Sequence, residues 1–243
     1  MMNGIILAAG RGSRMKELTE EKPKCLLSVK GKPLIQHQLD ALNSSKINNI
    51  SLILGYQAEK LLSYSNQFFL NHRWSETNMV YSLTMADELL QRNTCIVSYS
   101  DILYSKDTVD KLINAPGEIS ITYDPNWLNV WQARFENPLD DAESFQINEE
   151  GYLLSIGQKP SSIDDIQGQY MGLLKITPDG WTKIKQFICQ LPKAYFEKIS
   201  MTELLNLLIA KSHMIYATPI VEKWFEFDNQ HDLEKAYYIE NAL

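Results

Sequence analysis

The hydrophobic and polar positions of this chain follow two periods that alternate along its first half. "GIILAA", residues 4–9, is an unbroken branched-apolar run and predicts a buried strand. In "KPLIQHQLDALNSS" the apolar residues Leu34, Ile35, Leu39 and Leu42 recur at helical spacing. "NNISLILGY" then predicts a strand, "QAEKLLSYSNQFF" a helix, "NMVYSLTMADELLQR" an amphipathic helix and "TCIVSYSDILY" a third buried strand. Strands separated by helices of this length build a parallel sheet with right-handed crossovers. Beyond Gly117 the pattern changes. "EISITYD" and "SFQINEEGYLLSIGQ" alternate as antiparallel strands do, with a turn at Glu150 and Gly151. "QYMGLLKITP" is a further strand, and helices are expected from Asp179 to Gln190 and over "SMTELLNLLIAKS". "MIYATPIV" and "WFEFD" predict short strands, and "NQHDLEKAYYIENA" a terminal helix. With no repeat, low-complexity tract or linker, the pattern predicts one α/β domain over residues 1–243 with a mixed sheet.

Composition narrows the function classes. The net charge is −7, from 23 Lys+Arg against 30 Asp+Glu, so no basic stripe is available for a nucleic acid. Cys25, Cys95 and Cys189 are scattered and odd in number, which gives no metal spacing and suits a reducing compartment. No run reaches the roughly 20 apolar residues that span a bilayer. "GIILAA" is too short for the core of a signal peptide. A soluble, cytoplasmic protein is expected, with no membrane partner and with a homodimer left open.

The loop after the first strand carries the chemistry. Gly10 and Gly12 allow a close approach that a Cβ would block, and Arg11 and Arg14 add positive charge for an anion. Neither common phosphate loop fits: position 15 is Met15 where a dinucleotide fingerprint needs its third glycine, and P-loop spacing is absent. A dehydrogenase further lacks an acidic residue ending the second strand.

The longer segment "LAAGRGSRMKELTEEKPKCLLSVKGKPLI" resembles the signature of the nucleotidylyltransferase superfamily of MobA-like and sugar-phosphate enzymes. Leu7, Ala8, Ala9, Gly10, Gly12, Arg14, Met15, Pro23, Lys24 and Gly31 to Ile35 stand in its order. The resemblance implies a Rossmann-like, three-layer α/β/α fold with a mostly parallel central sheet. It also implies that residues Ala8 to Arg14, with Arg11 and Ser13 among them, wrap an NTP. Arg14 would meet its β- and γ-phosphates and Lys24 its α-phosphate.

Transfer of a nucleotidyl group calls for Mg²⁺, because an unscreened triphosphate repels its attacker. Mg²⁺ takes hard carboxylate oxygens. Asp101 closes a predicted buried strand, on the sheet edge where open α/β folds bind ligands. It matches the superfamily's metal-binding Asp, although that group commonly has two acids there and this chain has one. Asp228 matches the second metal ligand, in a short strand before the last helix, while Asp232 reads as a charge in the first turn of that helix.

Within the superfamily the likeness is greatest to small bacterial choline-phosphate cytidylyltransferases and related phosphonate and phosphoglutamine enzymes. "ETNMVYSLTMA" resembles their Asn-x-x-Tyr-Ser-Leu segment, which places Asn78, Tyr81 and Ser82 at the nucleotide and acceptor. Gly55 and Tyr56 resemble their turn after the second strand. The implied reaction moves CMP from CTP to a small amino compound bearing a phosphate or phosphonate, releasing pyrophosphate, for surface polysaccharide or lipid decoration.

Residues 105–200 resemble the group least and are expected to set acceptor choice. Aromatic faces and carboxylates suit an ammonium, and Arg or Lys suits a phosphate. Trp131, Arg134, Glu143, Lys159, Gln169 and Tyr170 are the candidates, with a core role for the Trp residues and a solvated loop for the acids as the alternative. His37, His72, His213 and His231 form no catalytic pair. Three rivals stand beside this reading: a sugar-1-phosphate enzyme, a molybdenum-cofactor enzyme and a non-catalytic nucleotide-binding regulator.

Overall fold

The computed structural model describes residues 2–233 apart from 46 and 48. Seven strands form the central sheet: β1 (Met2–Ala8), β2 (Ile50–Leu54), β3 (Gln67–Leu70), β4 (Thr94–Tyr99), β5 (Ile119–Asp124), β6 (Gln169–Ile176) and β7 (Tyr216–Pro219). Their order across the sheet is β7-β5-β6-β4-β1-β2-β3. All neighbours pair in parallel except β6, which runs antiparallel to both β4 and β5.

The strand period divides β1 between two cores. Ile5 and Leu7 enter one buried cluster, while Ile6 and Ala8 enter the other. Helices α1 (Leu34–Ser44), α4 (Lys106–Asn114) and α5 (Trp127–Arg134) supply the cluster around Ile6. Helices α2 (Met79–Leu83), α3 (Asp87–Arg92), α6 (Pro178–Ile188) and α7 (Met201–Ala210) supply the one around Ile5. A sheet covered on both faces is the expected three-layer α/β/α arrangement.

Two local expectations change, and one unassigned stretch becomes a helix. "EISITYD" alternates as an antiparallel strand does, and β5 does pair antiparallel with β6, but it also runs parallel to β7 and is buried along its whole length. Its polar positions are satisfied internally: Ser120 Oγ donates to Pro116 O (2.5 Å) and Thr122 Oγ1 to Leu173 O (3.1 Å). Two hydroxyls that find carbonyl partners can be buried at little cost, and they imitate a solvent face in the sequence.

The helix expected over 57–69 is a 3₁₀ segment, Ala58–Tyr64, followed by the edge strand β3. Ser65 makes the break. Its Oγ donates to Ile50 O (2.6 Å) and accepts from Gln67 N (3.0 Å), which turns the chain back alongside β2. Residues 127–134, unassigned by pattern, form α5. The hairpin of Phe145–Ile147 with Leu153–Ile156 is present as expected. Most of the terminal helix expected over 229–242 lies outside the described residues. Among the described residues, no helix is long and apolar enough to cross a membrane.

Candidate active site

The C-terminal ends of the parallel strands open onto a cleft of about 300 Å³. Leu7, Ala9, Gly10, Gly12, Ser13, Arg14 and Lys24 line one side, and Trp74, Thr77, Asn78, Met79 and Ser82 another. Tyr99, Ser100 and Asp101 close it at the end of β4. Crevices at strand ends are where open α/β sheets take ligands, because loops there can diverge without breaking the ladder.

Glycine is required at two positions, Gly12 in the wall and Gly55 behind it. Gly12 has φ +73°, and a Cβ there would lie 2.7 Å from Lys24 Cβ and 2.9 Å from its Cδ. The glycine therefore lets the Lys24 stem cross the loop. A Cβ on Gly55 would meet Trp74 Cβ at 2.5 Å and Ala9 O at 2.6 Å. Gly10 is different: among the described residues its Cβ position meets nothing within 4 Å.

Not every residue expected at the nucleotide lines the cleft. Ala8 is buried in the core. Tyr56 clamps the loop from behind, its N–H donating to Ala9 O (2.9 Å) and its hydroxyl to Thr19 O (3.0 Å) and to Glu20 O. The Arg11 guanidinium sits over the Tyr56 ring, 5.8 Å from its centroid. Tyr81 turns toward Phe196, with rings 5.6 Å apart, and lies under Arg73. Asn78 and Ser82 face the cleft. Asn78 Oδ1 caps α2 through Met79 N (2.8 Å), and Ser82 Oγ accepts from Asn71 Nδ2 (2.9 Å). Trp74, Thr77 and Met79 join them with only their nearness to the Asn78 segment as a signal.

A two-residue ribbon assembles the acidic end of the cleft. The chain leaves β4 at Tyr99, turns through Asp101, and pairs Ile102–Leu103 antiparallel with Phe225–Glu226. Phe227 N also donates to Asp101 O (2.9 Å). The ribbon brings carboxylate oxygens of Asp101, Glu226 and Asp228 within 4.8 Å of one another. Glu226 joins the two expected acids, and the strand period in "WFEFD" is its signal, since residues 226 and 228 share a face.

Lys24 projects into this group from a single 3₁₀ turn, Lys24–Leu26. Its Nζ lies 2.6 Å from Asp101 Oδ2 and 3.5 Å from Asp228 Oδ1. Burial acts to lower its pKa, but Asp101 and Asp228 override it and hold the ammonium above its usual range. Arg14, mostly exposed, reaches Asp228 Oδ1 at 3.2 Å. Glu226 is pushed up to about 8, first by burial and then by Asp228 and Asp101. Its side chain nevertheless keeps 24% exposure.

These residues fit a divalent cation. Among the described residues, Asp101 Oδ1 is buried without a hydrogen-bond partner, and a protein ammonium already stands between two of the carboxylates. The donors are all hard oxygens, as Mg²⁺ prefers.

The acceptor candidates separate. Trp131 is core, buried between Trp127 and Trp224, with its Nε1 donating to Asp141 Oδ2 (3.2 Å). Its burial leaves no ring face for an ammonium. Lys159 Nζ donates to the carbonyls of Leu139 and Asp140 at the surface. Gln169 is buried and holds the Glu143 backbone, donating to its O (2.5 Å) and accepting from its N (3.2 Å). Tyr170 meets the cleft residue Tyr99 edge to face at 5.8 Å. Glu143 is half-buried beside Thr202 (3.4 Å), and burial, with Asp141 nearby, raises its pKa. Arg134 is fully buried against Glu226, Asp228 and Asp232. Asp232, expected as a solvated helix charge, is buried with it.

Known proteins share this arrangement of chain. Residues 4–139 match the MobA-like NTP transferase domain. The CTP:phosphoglutamine cytidylyltransferase of Campylobacter jejuni is 37% identical over 96% of this chain and 98% of its own length. The choline-phosphate cytidylyltransferase of Streptococcus pneumoniae is 36% identical over 42% of this chain and 46% of its own. The solved structure of a CTP:phosphocholine cytidylyltransferase from Streptococcus pneumoniae superposes with a TM-score of 0.74 at 23% identity, covering 98% of this chain and 99% of that one.

Proposed function

The chain belongs to the MobA-like NTP transferase family and is a nucleotidyltransferase, and on that premise we propose that it moves CMP from CTP to a small phosphorylated amino compound of the phosphoglutamine type. One observation carries the reading: Lys24, Arg14 and three carboxylates converge at the end of the glycine-loop cleft. The likeness over nearly the whole length to the phosphoglutamine enzyme supports the nucleotide and the acceptor class.

In this reading the loop from Leu7 to Arg14 cradles CTP, with Asn78 and Ser82 opposite and Gly55 and Tyr56 holding the loop's shape. A phosphate oxygen of the acceptor attacks the α-phosphorus. The bond to the bridging oxygen breaks, and pyrophosphate leaves with its electron pair. That acceptor oxygen is already ionised near neutral pH, so no side chain has to take a proton. Lys24 neutralises charge on the α-phosphate and Arg14 on the leaving phosphates, and such preorganised cations act most strongly out of water. Asp101, Glu226 and Asp228 would hold Mg²⁺, which when bound screens the triphosphate. Residues 105–200 supply acceptor contacts through Glu143, a carboxylate suited to an ammonium, with Tyr170 beside it.

The test is pyrophosphate release with Mg²⁺, each NTP in turn, and phosphoglutamine, phosphocholine, 2-aminoethylphosphonate and several sugar-1-phosphates as acceptors. CTP-dependent release with an amino compound, abolished by EDTA and lost in Lys24→Ala, is expected. Release confined to a sugar-1-phosphate would refute the reading.

A further inference from the structure

Arg134 lies in the stretch whose composition points to the acceptor, yet none of its side chain is exposed. Its Nε donates to Asp232 Oδ1 (3.0 Å), and its Nη2 reaches Asp232 Oδ2 and Asp228 Oδ2, both at 3.3 Å. Its Nη1 reaches Glu226 Oε2 at 3.4 Å. Three rings enclose it: Trp131, Phe135 and Phe225, at 5.3, 5.1 and 5.8 Å from the guanidinium carbon. A group without exposed surface cannot meet a diffusing acceptor.

We infer that Arg134 is a positioning residue that aims Asp228 and Glu226 into the cleft from behind, tying the acceptor-side helix α5 to the metal-holding face. The inference rests on the reading of Asp101, Glu226 and Asp228 as that face.

Like charges set the need for it. The strand period forces the carboxyl groups of residues 226 and 228 onto one side, where Asp101 already stands. Alone they repel and turn apart. The guanidinium fork takes Oε2 of Glu226 and Oδ2 of Asp228. Asp228 Oδ1 is left facing Lys24 and Arg14 on the cleft side. Asp232 completes the brace, because its Oδ2 also accepts from Asp228 N (2.8 Å) and Asn229 N (3.1 Å). Backbone and guanidinium are thus tied to one carboxylate. Lysine carries the charge without the fork, so charge and geometry can be separated by substitution.

Mn²⁺ is the probe, followed by electron paramagnetic resonance with saturating CTP in the wild type, R134K, R134Q and D232N. KM for CTP and for phosphoglutamine is measured beside it. Groups behind a metal site commonly set its affinity by about 10–100-fold. Mn²⁺ affinity is expected to fall about tenfold or more in R134K and R134Q, and in the same direction in D232N, with KM for phosphoglutamine within about threefold of wild type. Thermal melts establish that each variant is folded; where R134Q is not, R134K and D232N decide. Unchanged Mn²⁺ affinity with a large rise in the phosphoglutamine KM would overturn the inference in favour of acceptor binding. Tighter Mn²⁺ binding in R134Q with R134K like the wild type would overturn it in favour of a charge effect alone. A wild type that binds no Mn²⁺ with CTP present would instead overturn the metal reading beneath it.

Discussion

The two ends of the cleft are built in opposite ways. At the glycine-loop end, one continuous stretch from Leu7 to Lys24 supplies a loop in which backbone conformation matters more than side-chain bulk, as Gly12 at φ +73° illustrates. At the acidic end, charges arrive from distant parts of the chain: Lys24 meets Asp228 across 204 positions, and Arg134 meets Asp232 across 98. The first end is local and open. The second is non-local and more deeply buried, and each charge there is held by opposite charges. Local construction tolerates change outside the loop, whereas a non-local network transmits a change at any member to the others.

Substitutions at each end sharpen that contrast, and the largest effect is expected on the buried side. Trp131→Ala empties a site between Trp127 and Trp224 and should cost about 3–5 kcal/mol of stability. Denaturant melts would measure it. A loss below about 1 kcal/mol would mean that Trp131 is not core and returns it to the acceptor side.

Lys24→Ala should lower kcat by about 10²–10³, as removal of one preorganised charge-stabilising donor does. Single-turnover pyrophosphate release reads this directly. A rate within about threefold of wild type would remove Lys24 from the chemistry.

Gly12→Ala acts through the loop. The positive φ and the collision with the Lys24 stem should cost about 1–3 kcal/mol, most of it seen as lost activity because the loop is open to solvent on its other side. A melt shifted as far as that of Trp131→Ala, with activity intact, would contradict the proposed division between the two ends.

Glu143→Gln should raise KM for the acceptor by about tenfold, or about 1.4 kcal/mol, and leave KM for CTP unchanged. Equal rises in both would place Glu143 outside the acceptor contact. Lys159→Ala should do least, within about 0.5 kcal/mol in stability and with no change in KM, since its ammonium only meets surface carbonyls.

How far the sequence reveals the molecule follows the same division. The strand at Gly4, the glycine loop, Lys24 and the GKPLI turn are contiguous, so spacing along the chain equals spacing in the fold. Asp101 is legible for a related reason, because it closes an apolar strand at the ligand edge of the sheet, whereas Asp228 is legible only through the resemblance of "WFEFDNQHDLEKA" to the superfamily's closing motif. Glu226 lies in plain view in "WFEFD", but only the pairing of Phe225–Glu226 with Ile102–Leu103 turns it toward Asp101. The Trp and Arg residues of α5 are ambiguous in sequence, because the residue types suited to an ammonium or phosphate also fill cores and braced ion networks. Ser120 and Thr122 mislead in the same manner.

The sequence by itself determined the alternation of strands and helices and the glycine loop with its neighbouring cations, and its resemblance pointed to Asp101 and Asp228. These depend on hydrophobic period and on neighbours within a few residues, which the chain carries locally. The tertiary structure alone decided that Glu226 joins the acidic group, that Trp131 is core, and that Arg134 faces Glu226, Asp228 and Asp232 rather than solvent. Burial and the pairing of charges are properties of space, fixed when segments about a hundred residues apart pack together, and no local pattern encodes which side of a buried ion pair faces the cleft.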